Sequence, residues 1–271
     1  MAQERSQPNA RRVRGQTTTS HPTGTLYVVS TPIGHPDDIT LRALATLRHV
    51  TVVASENPRA TQALLAHHGI TATVTSYGPY NLREKIRLLL HRVMQGEDIA
   101  LVSDNGTPVI YDPGSLFVAA AHQAGIPVKT IPGPSTMTAA AAISGFSGDA
   151  ITFEGHLPST SRRLAQYLSQ LCKERRTLVC FVPPNTLTKL LKTLAQLLPI
   201  RQMAIAIDLT TYRETLYRGR PGELLDRIGP VPNDSAVTVV IEGYAAGSHS
   251  KPTSQKNTAR YSSSRRRMST R

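Results

Sequence analysis

Residues 103–114 read SDNGTPVIYDPG and directly follow the apolar run Ile99-Ala-Leu-Val102. The apolar run predicts a buried strand, and the Gly and Pro residues behind it predict a tight loop. In open α/β folds, ligands bind where parallel strands end. The segment is therefore either part of a ligand site or an ordinary connection between a strand and a helix. Its composition alone leaves both interpretations open.

Strand and helix patterns alternate on both sides of this segment. Strands are predicted over 26–29, 50–54, 72–77, 99–102 and 128–131. Helices are predicted over 38–48, from Pro58, over 81–94, and from a cap at Ser115 to Gly125. Alternation at this spacing predicts parallel strands joined by helical crossovers.

A second α/β unit is predicted beyond Pro132. Strands are predicted over 151–154, 177–182, 203–208, 214–218 and 236–241, and helices over 137–143, 162–171 and 187–197. Several of these strands follow one another too closely for helical crossovers, so the second sheet is expected to be mixed. We therefore predict two α/β domains, over 24–131 and 132–243.

The net charge of +13 is concentrated at the two ends of the chain. Residues 1–23 contribute +3 and residues 244–271 contribute +7, which leaves only +3 for residues 24–243. Both tails are polar and are expected to be disordered. The run Arg265-Arg-Arg267 suits contact with RNA, or it serves only to keep the protein soluble.

Other sequence features point to a cytoplasmic protein. No apolar run approaches the roughly 20 residues that span a bilayer, and the N-terminus has no signal-peptide pattern. Cys172 and Cys180 fit neither a disulfide framework nor a zinc site, and the nine histidines show no metal-ligand pattern. We expect reduced thiols, no bound metal and no membrane segment.

Three small-residue loops are expected to meet at one edge of the sheet. They are Thr31-Pro-Ile-Gly-His-Pro36, the segment 103–114, and Pro132-Gly-Pro-Ser135. None matches a P-loop or the G-x-G-x-x-G pattern of dinucleotide sites. Stiff loops of this kind suit a ligand that is read by adenine, ribose and amino-acid groups.

Together these loops resemble the ribosomal RNA small subunit methyltransferase I family of the tetrapyrrole methylase superfamily. The motifs that carry the resemblance are LYVVSTPIG at 26–34, DIT at 38–40, SD and GTP at 103–108, DPG at 112–114, PGP at 132–134, and FEG with LP at 153–158. The resemblance implies an S-adenosylmethionine enzyme, usually a homodimer, that methylates a ribose 2′-hydroxyl of a decoding-site cytidine in 16S rRNA. It also implies two α/β domains of the tetrapyrrole methylase type with the cofactor in the cleft between them. The residues implied to bind the cofactor are Pro32, Gly34, Asp104, Gly106, Thr107, Pro108, Gly133, Pro134 and Ser135.

The chain departs from the family pattern mainly in its polar loops. The altered segments are Gly34-His-Pro36, Ser55-Glu-Asn-Pro-Arg59, Tyr77-Gly-Pro-Tyr-Asn81, Asn105, Val182-Pro-Pro-Asn-Thr186, Thr211 and Asp234-Ser235. The segment at 77–81 lacks the two histidines that are usual there. Since the cofactor loops match better, the resemblance supports cofactor binding more firmly than it supports the substrate.

Methyl transfer to a hydroxyl benefits from a group that accepts the hydroxyl proton. The candidates are Glu56, Glu154 and Asp38, while Arg42, Arg59 and Asn81 are candidates for RNA contacts. Each acid also has a structural interpretation. Asp38 would cap the following helix, Glu56 would pair with Arg59, and Glu154 would end a strand.

Two other functions remain open on the sequence. The chain is alternatively a methylase of a tetrapyrrole-like substrate, although the Arg-rich tails favour a polyanion. It is otherwise a decayed paralogue that binds RNA or the cofactor without catalysis.

Overall fold

The computed structural model describes residues 23–77 and 82–245. In chain order, the first half contains β1 (Leu26–Val29), α1 (Leu41–His49), β2 (Val52–Ser55), α2 (Pro58–His67), β3 (Thr73–Ser76), α3 (Leu82–Met94), β4 (Ile99–Val102), α4 (Ser115–Gln123) and β5 (Val128–Ile131). The second half contains α5 (Thr136–Ser144), β6 (Ile151–His156), α6 (Ser161–Gln170), β7 (Thr177–Val182), α7 (Pro184–Leu197), β8 (Met203–Ile207), β9 (Thr215–Gly219), α8 (Pro221–Arg227) and β10 (Val237–Ile241). The expectation of an α/β fold with two sheets is confirmed.

The first sheet is wholly parallel, with the strand order β3-β2-β4-β1-β5. Its central strand β4 is buried on both faces because side chains alternate along a strand. Ile99 and Leu101 pack in one core with α3 and α4, while Ala100 and Val102 pack in another with α1 and α2. A continuous apolar run is the expected signature of such a strand.

The second sheet is mixed, as expected, with the order β6-β7-β10-β8-β9. Strands β6 and β7 pair in parallel, and β10 runs antiparallel to both of its neighbours. One face carries a core with α6, α7 and α8, and on the other face α5 packs over small residues such as Ala204 and Ala206. Since α5 follows β5 directly, it brings the second sheet against the strand ends of the first.

Several details differ from the sequence-based expectation. The helix expected over 38–48 begins at Leu41, and Thr40 rather than Asp38 accepts its capping bond, from the Ala43 amide. The interpretation of Asp38 as the helix cap is therefore wrong. Ser115 is the first residue of α4 rather than its cap, and helix α8 was not predicted at all.

Two further expectations concern cysteines and membranes. Both cysteines are free thiols, and complete burial raises the pKa of Cys180 to about 12. Within the described residues no helix has the length and apolar character needed to cross a bilayer. The two predicted tails and Asn81 lie outside the described residues, apart from Thr23, Tyr244 and Ala245.

Candidate active site between the two sheets

The loops after β1 and β4 are joined by a dense set of hydrogen bonds. The Thr31 amide donates to the Gly106 carbonyl at 2.9 Å, and the Thr31 hydroxyl donates to the Ser103 carbonyl at 3.0 Å. In return the Gly106 amide donates to the Pro32 carbonyl at 3.3 Å. Because β1 and β4 are neighbours in the parallel sheet, their loops leave the same edge and can be fixed in this way.

Thr107 connects these two loops to the third one. Its hydroxyl donates to the Pro134 carbonyl at 3.1 Å and lies 3.0 Å from the Ser30 hydroxyl oxygen. Since the single Thr107 proton goes to Pro134, Ser30 must donate to Thr107. The three loops predicted to converge therefore do so around one threonine side chain.

Glycine is required at Gly106 and Gly34 for different reasons. Gly106 has a φ of 82°, and a Cβ there would lie 3.1 Å from the Ile33 side chain. Gly34 approaches the second sheet so closely that a Cβ would lie 2.2 Å from the Leu209 carbonyl oxygen. The next residue, His35, donates its amide to the Thr210 hydroxyl at 2.9 Å. The loop after β1 thus meets the loop after β8.

A cleft of about 330 Å³ opens between the two sheets beside these loops. This volume lies at the lower end of the range typical of small-molecule sites. Its walls combine apolar side chains with a few hydroxyl and amide groups. From the first sheet and α5 come Ile33, Asn105, Thr107, Ile110, Ser135, Thr136 and Met137. From the second come His156, Phe181, Val182, Pro183, Pro184, Leu209, Ser235, Ala236, Val237 and Thr238.

The start of α5 contributes backbone donors to this cleft. Ser135 is the N-cap, but its side chain makes no capping bond. The first-turn amides at Thr136 and Met137 therefore have no side-chain cap, and both residues line the cleft. Unpaired amides at a helix start favour a negatively charged group such as a carboxylate.

The opposite wall is held by the buried carboxylate of Asp208. It accepts bonds from the Ser235 hydroxyl at 2.9 Å and from the Ala236 amide at 2.8 Å, and it pairs with Arg213 at 3.1 Å. Arg213 also pairs with Asp234 at 3.1 Å. Asp234 and Ser235, which depart from the family pattern, are thus part of a network that fixes the start of β10.

An acidic patch, formed by Glu56, Asp104 and Asp112, lies at the ends of β2 and β4. Burial and the two neighbouring carboxylates raise the pKa of Glu56. Desolvation also raises the pKa of Asp104, although hydrogen bonds from Asn57 lower it in part. Asp112 accepts a bond from the buried Tyr77 hydroxyl at 3.1 Å. Like charges held close together at a strand edge are typical of functional sites, where one group is kept ready to bind a proton.

Five of the nine predicted cofactor residues line one of two neighbouring cavities. Thr107 and Ser135 line the inter-sheet cleft, whereas Pro32, Gly34 and Asp104 line a second cavity of about 340 Å³ beside α2. Asn105 lines both. The other four, Gly106, Pro108, Gly133 and Pro134, belong to the strand-end loops but line neither cavity. A Cβ at Gly133 would lie 3.0 Å from the Ser30 Cβ.

The three acidic candidates are not brought together. Glu154 lies on the α6 side of β6, where it accepts a hydrogen bond from the Tyr167 hydroxyl. This bond helps to raise the pKa of Tyr167 to about 12. Asp38 is exposed in a short 3-10 turn, Pro36–Asp38. Only Glu56 lies in the acidic patch, and within the described residues it makes no ion pair with Arg59.

Arg42 and Arg59 are exposed on α1 and α2. Neither forms an ion pair with another residue of the described ranges. A cluster of Asp37, His67 and His68 has ligand atoms within 4.8 Å of one another. His67 Nε2 lies 2.9 Å from the Asp37 carboxylate, and the two groups hydrogen-bond there. His68 Nε2 lies 3.0 Å from the Pro36 carbonyl. These two bonds join the end of α2 to the 3-10 turn, and they explain why the three side chains lie together.

Sequence reasoning missed an aromatic group at the mouth of the cleft. Tyr111, from the loop after β4, lies against His156 and Phe181 of the second sheet. The contact joins residues that are far apart in the sequence, so no local pattern showed it. The one available signal was His156, which lies between the FEG and LP parts of the motif at 153–158. Burial lowers the pKa of His156, which favours the neutral imidazole.

Comparison with known proteins shows which class of enzyme this chain resembles. Residues 25–225 match the family of Tetrapyrrole (Corrin/Porphyrin) Methylases. Solved structures share the fold. They include a uroporphyrin-III-C-methyltransferase from Thermus thermophilus, with a TM-score of 0.56 and 21% identity over 81% of this chain and 94% of that chain. A diphthine synthase has a TM-score of 0.61 and 17% identity over 80% and 89%.

Curated relatives narrow the class further. A protein of Thermotoga maritima named ribosomal RNA small subunit methyltransferase I is 37% identical over 81% of this chain and 99% of its own length. A protein of the same name from Escherichia coli O157:H7 is 36% identical over 84% and 81%. The chain belongs to the ribosomal RNA small subunit methyltransferase I family, within the tetrapyrrole methylases.

Proposed function

We propose that the protein transfers a methyl group from S-adenosylmethionine to the ribose 2′-hydroxyl of a cytidine in 16S rRNA. The observation that carries the cofactor assignment is the Thr107 junction, which fixes three strand-end loops beside a cleft between the two sheets. The family supplies the substrate, since its curated members are named for the small-subunit ribosomal RNA.

The donor groups of the cleft fit the proposed cofactor. Its apolar walls, including Ile33, Met137 and Val237, suit adenine and the methylene chain. The hydroxyls of Thr107 and Ser135 and the uncapped start of α5 would bind its polar ends, with the amides taking the carboxylate. A relative of this fold, the uroporphyrin-III C-methyltransferase of Thermus thermophilus, has been solved in complex with S-adenosyl homocysteine.

When bound, the cofactor supplies an activated methyl group for nucleophilic attack. The protein's part is to hold the ribose hydroxyl in line with that group and to exclude water, and such positioning supplies much of the rate. We assign proton acceptance to Glu56, because it is the one of the three candidate acids that lies in the acidic patch, where partial desolvation and the neighbouring Asp112 and Asp104 raise its pKa. Arg42 and Arg59 are assigned to phosphate, since both guanidinium groups are exposed without ion pairs in the described ranges.

Purified protein, labelled S-adenosylmethionine and two acceptors in parallel test this function. Label is expected in 16S rRNA of small ribosomal subunits and not in a uroporphyrinogen-type tetrapyrrole. Label in the tetrapyrrole alone would support the other activity of this superfamily. No label in either acceptor, with the cofactor bound tightly, would support a decayed paralogue and overturn the proposal.

We further propose a domain boundary near residue 132, a cytoplasmic location and a homodimer. The two sheets lie on either side of that boundary, and the proposed substrate is a cytoplasmic particle. The dimer rests on the family resemblance. A mass of 29.4 kDa by light scattering, that of one chain, would contradict the dimer.

A further inference from the structure

The loop after β4 crosses from the first sheet to the second in an unusual backbone conformation. Val109 has a φ of 77° and Tyr111 a φ of 59°, in the left-handed region that residues other than glycine seldom adopt. Strain of this kind persists where the surrounding structure fixes it and often marks a functional segment. Here it places a large aromatic side chain, 61% exposed, at the cleft mouth.

The Tyr111 ring is held from the side of the second sheet. Its centroid lies 4.7 Å from that of His156, with 38° between the planes, and it makes an edge contact with Phe181 at 6.3 Å. At Gly155 a Cβ would lie 2.8 Å from the ring, so the glycine leaves the space that the tyrosine occupies. His156, Phe181 and the neighbouring Ile110 all line the cleft. The ring is therefore fixed in position and still open to solvent.

We propose that Tyr111 is a stacking platform for an unpaired base of the substrate RNA, an inference that rests on the proposed function. Proteins recognise unpaired bases chiefly by stacking them on aromatic side chains. A ring that is already held by His156 and Gly155 loses little freedom when a base stacks on it. The base would lie at the mouth of the cleft in which its own or a neighbouring ribose is methylated.

An exposed ring beside the cleft has one competing occupant, the adenine of the cofactor. The exposure of Tyr111 favours the RNA, because a cofactor enclosed in the cleft would cover Ile33, Met137 and Val237 before it reached the rim. The two occupants give different results when cofactor and RNA affinities are measured separately.

The absence of tryptophan from the chain permits a direct test. In Tyr111→Trp, the introduced indole is the sole tryptophan and retains a stacking face. Titration with a short single-stranded oligocytidylate is expected to quench its fluorescence, with S-adenosylhomocysteine present throughout. Met94→Trp is the matched control, because Met94 is 44% exposed at the end of α3, near the start of β4 and so at the opposite end of that strand from the loop that carries Tyr111. Equal quenching of the two variants, or no quenching of the Tyr111→Trp variant, would overturn the platform.

Affinity measurements complete the test. Tyr111→Ala is expected to weaken binding to small ribosomal subunits about 10- to 100-fold, which is the order of effect when one stacking aromatic side chain is replaced by alanine. Tyr111→Phe keeps the ring and should bind the subunits as the wild type does. Leu88→Ala, an exposed apolar side chain of α3 that does not line the cleft, controls for loss of apolar surface. Cofactor affinity should stay within about twofold in all three variants. Loss of cofactor affinity alone would assign the ring to adenine and overturn the inference. If the wild type binds RNA and stacks the base but transfers no methyl group, the proposed function fails while the platform stands.

Discussion

The Thr107 hydroxyl donates a hydrogen bond to the Pro134 carbonyl oxygen at 3.1 Å. Thr107 follows the first sheet's central strand, and Pro134 directly precedes the helix that packs against the second sheet. One side chain therefore links the strand-end loops of the first sheet to the element that places the second sheet across the cleft. We expect cofactor affinity to depend on this hydroxyl.

Thr107→Val removes the hydroxyl while keeping the shape of the side chain. The Pro134 carbonyl and the Ser30 hydroxyl lose their partner in a partly buried site, which costs about 1–3 kcal/mol of stability. Cofactor binding by calorimetry should weaken about tenfold, equivalent to about 1.4 kcal/mol. Thr107→Ser keeps the hydroxyl and should bind nearly as the wild type does. Equal affinity in the valine and serine variants would show that the link is not needed.

Gly106→Ala separates backbone strain from damage to the site. A side chain at a φ of 82° costs about 1–2 kcal/mol, and its Cβ would also press on Ile33. The control is Gly125→Ala, where φ is 69° and no atom lies within 4 Å of the added Cβ. Both variants should lose comparable stability in thermal unfolding. Only Gly106→Ala should lose cofactor affinity. A similar loss of cofactor affinity in Gly125→Ala would show that general destabilisation, and not a role of Gly106 in the site, causes the effect.

Glu56→Gln tests the acidic patch through stability. Burial, Asp112 and Asp104 raise the folded-state pKa of Glu56 above its ordinary 4.5, so the charged form is disfavoured in the fold. That penalty grows as pH rises from 4.5 through the folded-state pKa and is complete at neutral pH. Glu56→Gln should therefore raise the melting temperature at pH 7 and leave it unchanged below pH 4.5. The gain should be under about 1 kcal/mol because the group is largely solvated.

The same variant has a separate prediction for catalysis. If Glu56 accepts the hydroxyl proton, Glu56→Gln lowers turnover by about 10²- to 10⁴-fold without changing cofactor affinity. The acid limb of the wild-type pH–rate profile, which reports ionisation of that carboxyl, should also disappear. Glu84→Gln, on the exposed first turn of α3, is the control and should change neither quantity. An acid limb that persists in Glu56→Gln would assign the base to another group.

The basic tails are predicted to strengthen RNA binding by charge alone. They carry +10 of the net charge of +13, so a chain of residues 24–243 releases fewer counterions from RNA. Its affinity for small ribosomal subunits should be lower and should fall less steeply with salt, while cofactor affinity stays unchanged. An unchanged salt slope after removal of both tails would show that they do not touch the RNA.

The sequence predicted those strands and helices whose pattern of apolar residues is visible within the element itself. Strands such as β4 and β7 are continuous apolar runs, and their bounds match the prediction because each is buried on both faces. The start of α7 was placed three residues late, although Pro184 is a favoured first helical residue. Helix α8 was missed because it is short and buries little beyond Pro221 and Leu224.

The candidate site was harder to predict because its contacts join distant parts of the chain. Loop convergence followed from the parallel order of β4, β1 and β5, and the Thr107 side chain lies where the loops meet. In contrast, no local pattern shows that Gly34 meets Leu209, or that Tyr111 packs beside Gly155. Glu154 was named as one of three candidate proton acceptors, and no local pattern shows that its carboxylate accepts a hydrogen bond from Tyr167.

The position of the transferred methyl group tests the central claim most directly. Small ribosomal subunits would be incubated with the protein and labelled S-adenosylmethionine, and the 16S rRNA digested to nucleosides for mass spectrometry. We predict label in a single nucleoside, cytidine methylated on its ribose 2′-oxygen. A methyl group on a base, or tight cofactor binding with no methyl group on any nucleoside of 16S rRNA, would contradict the proposed function.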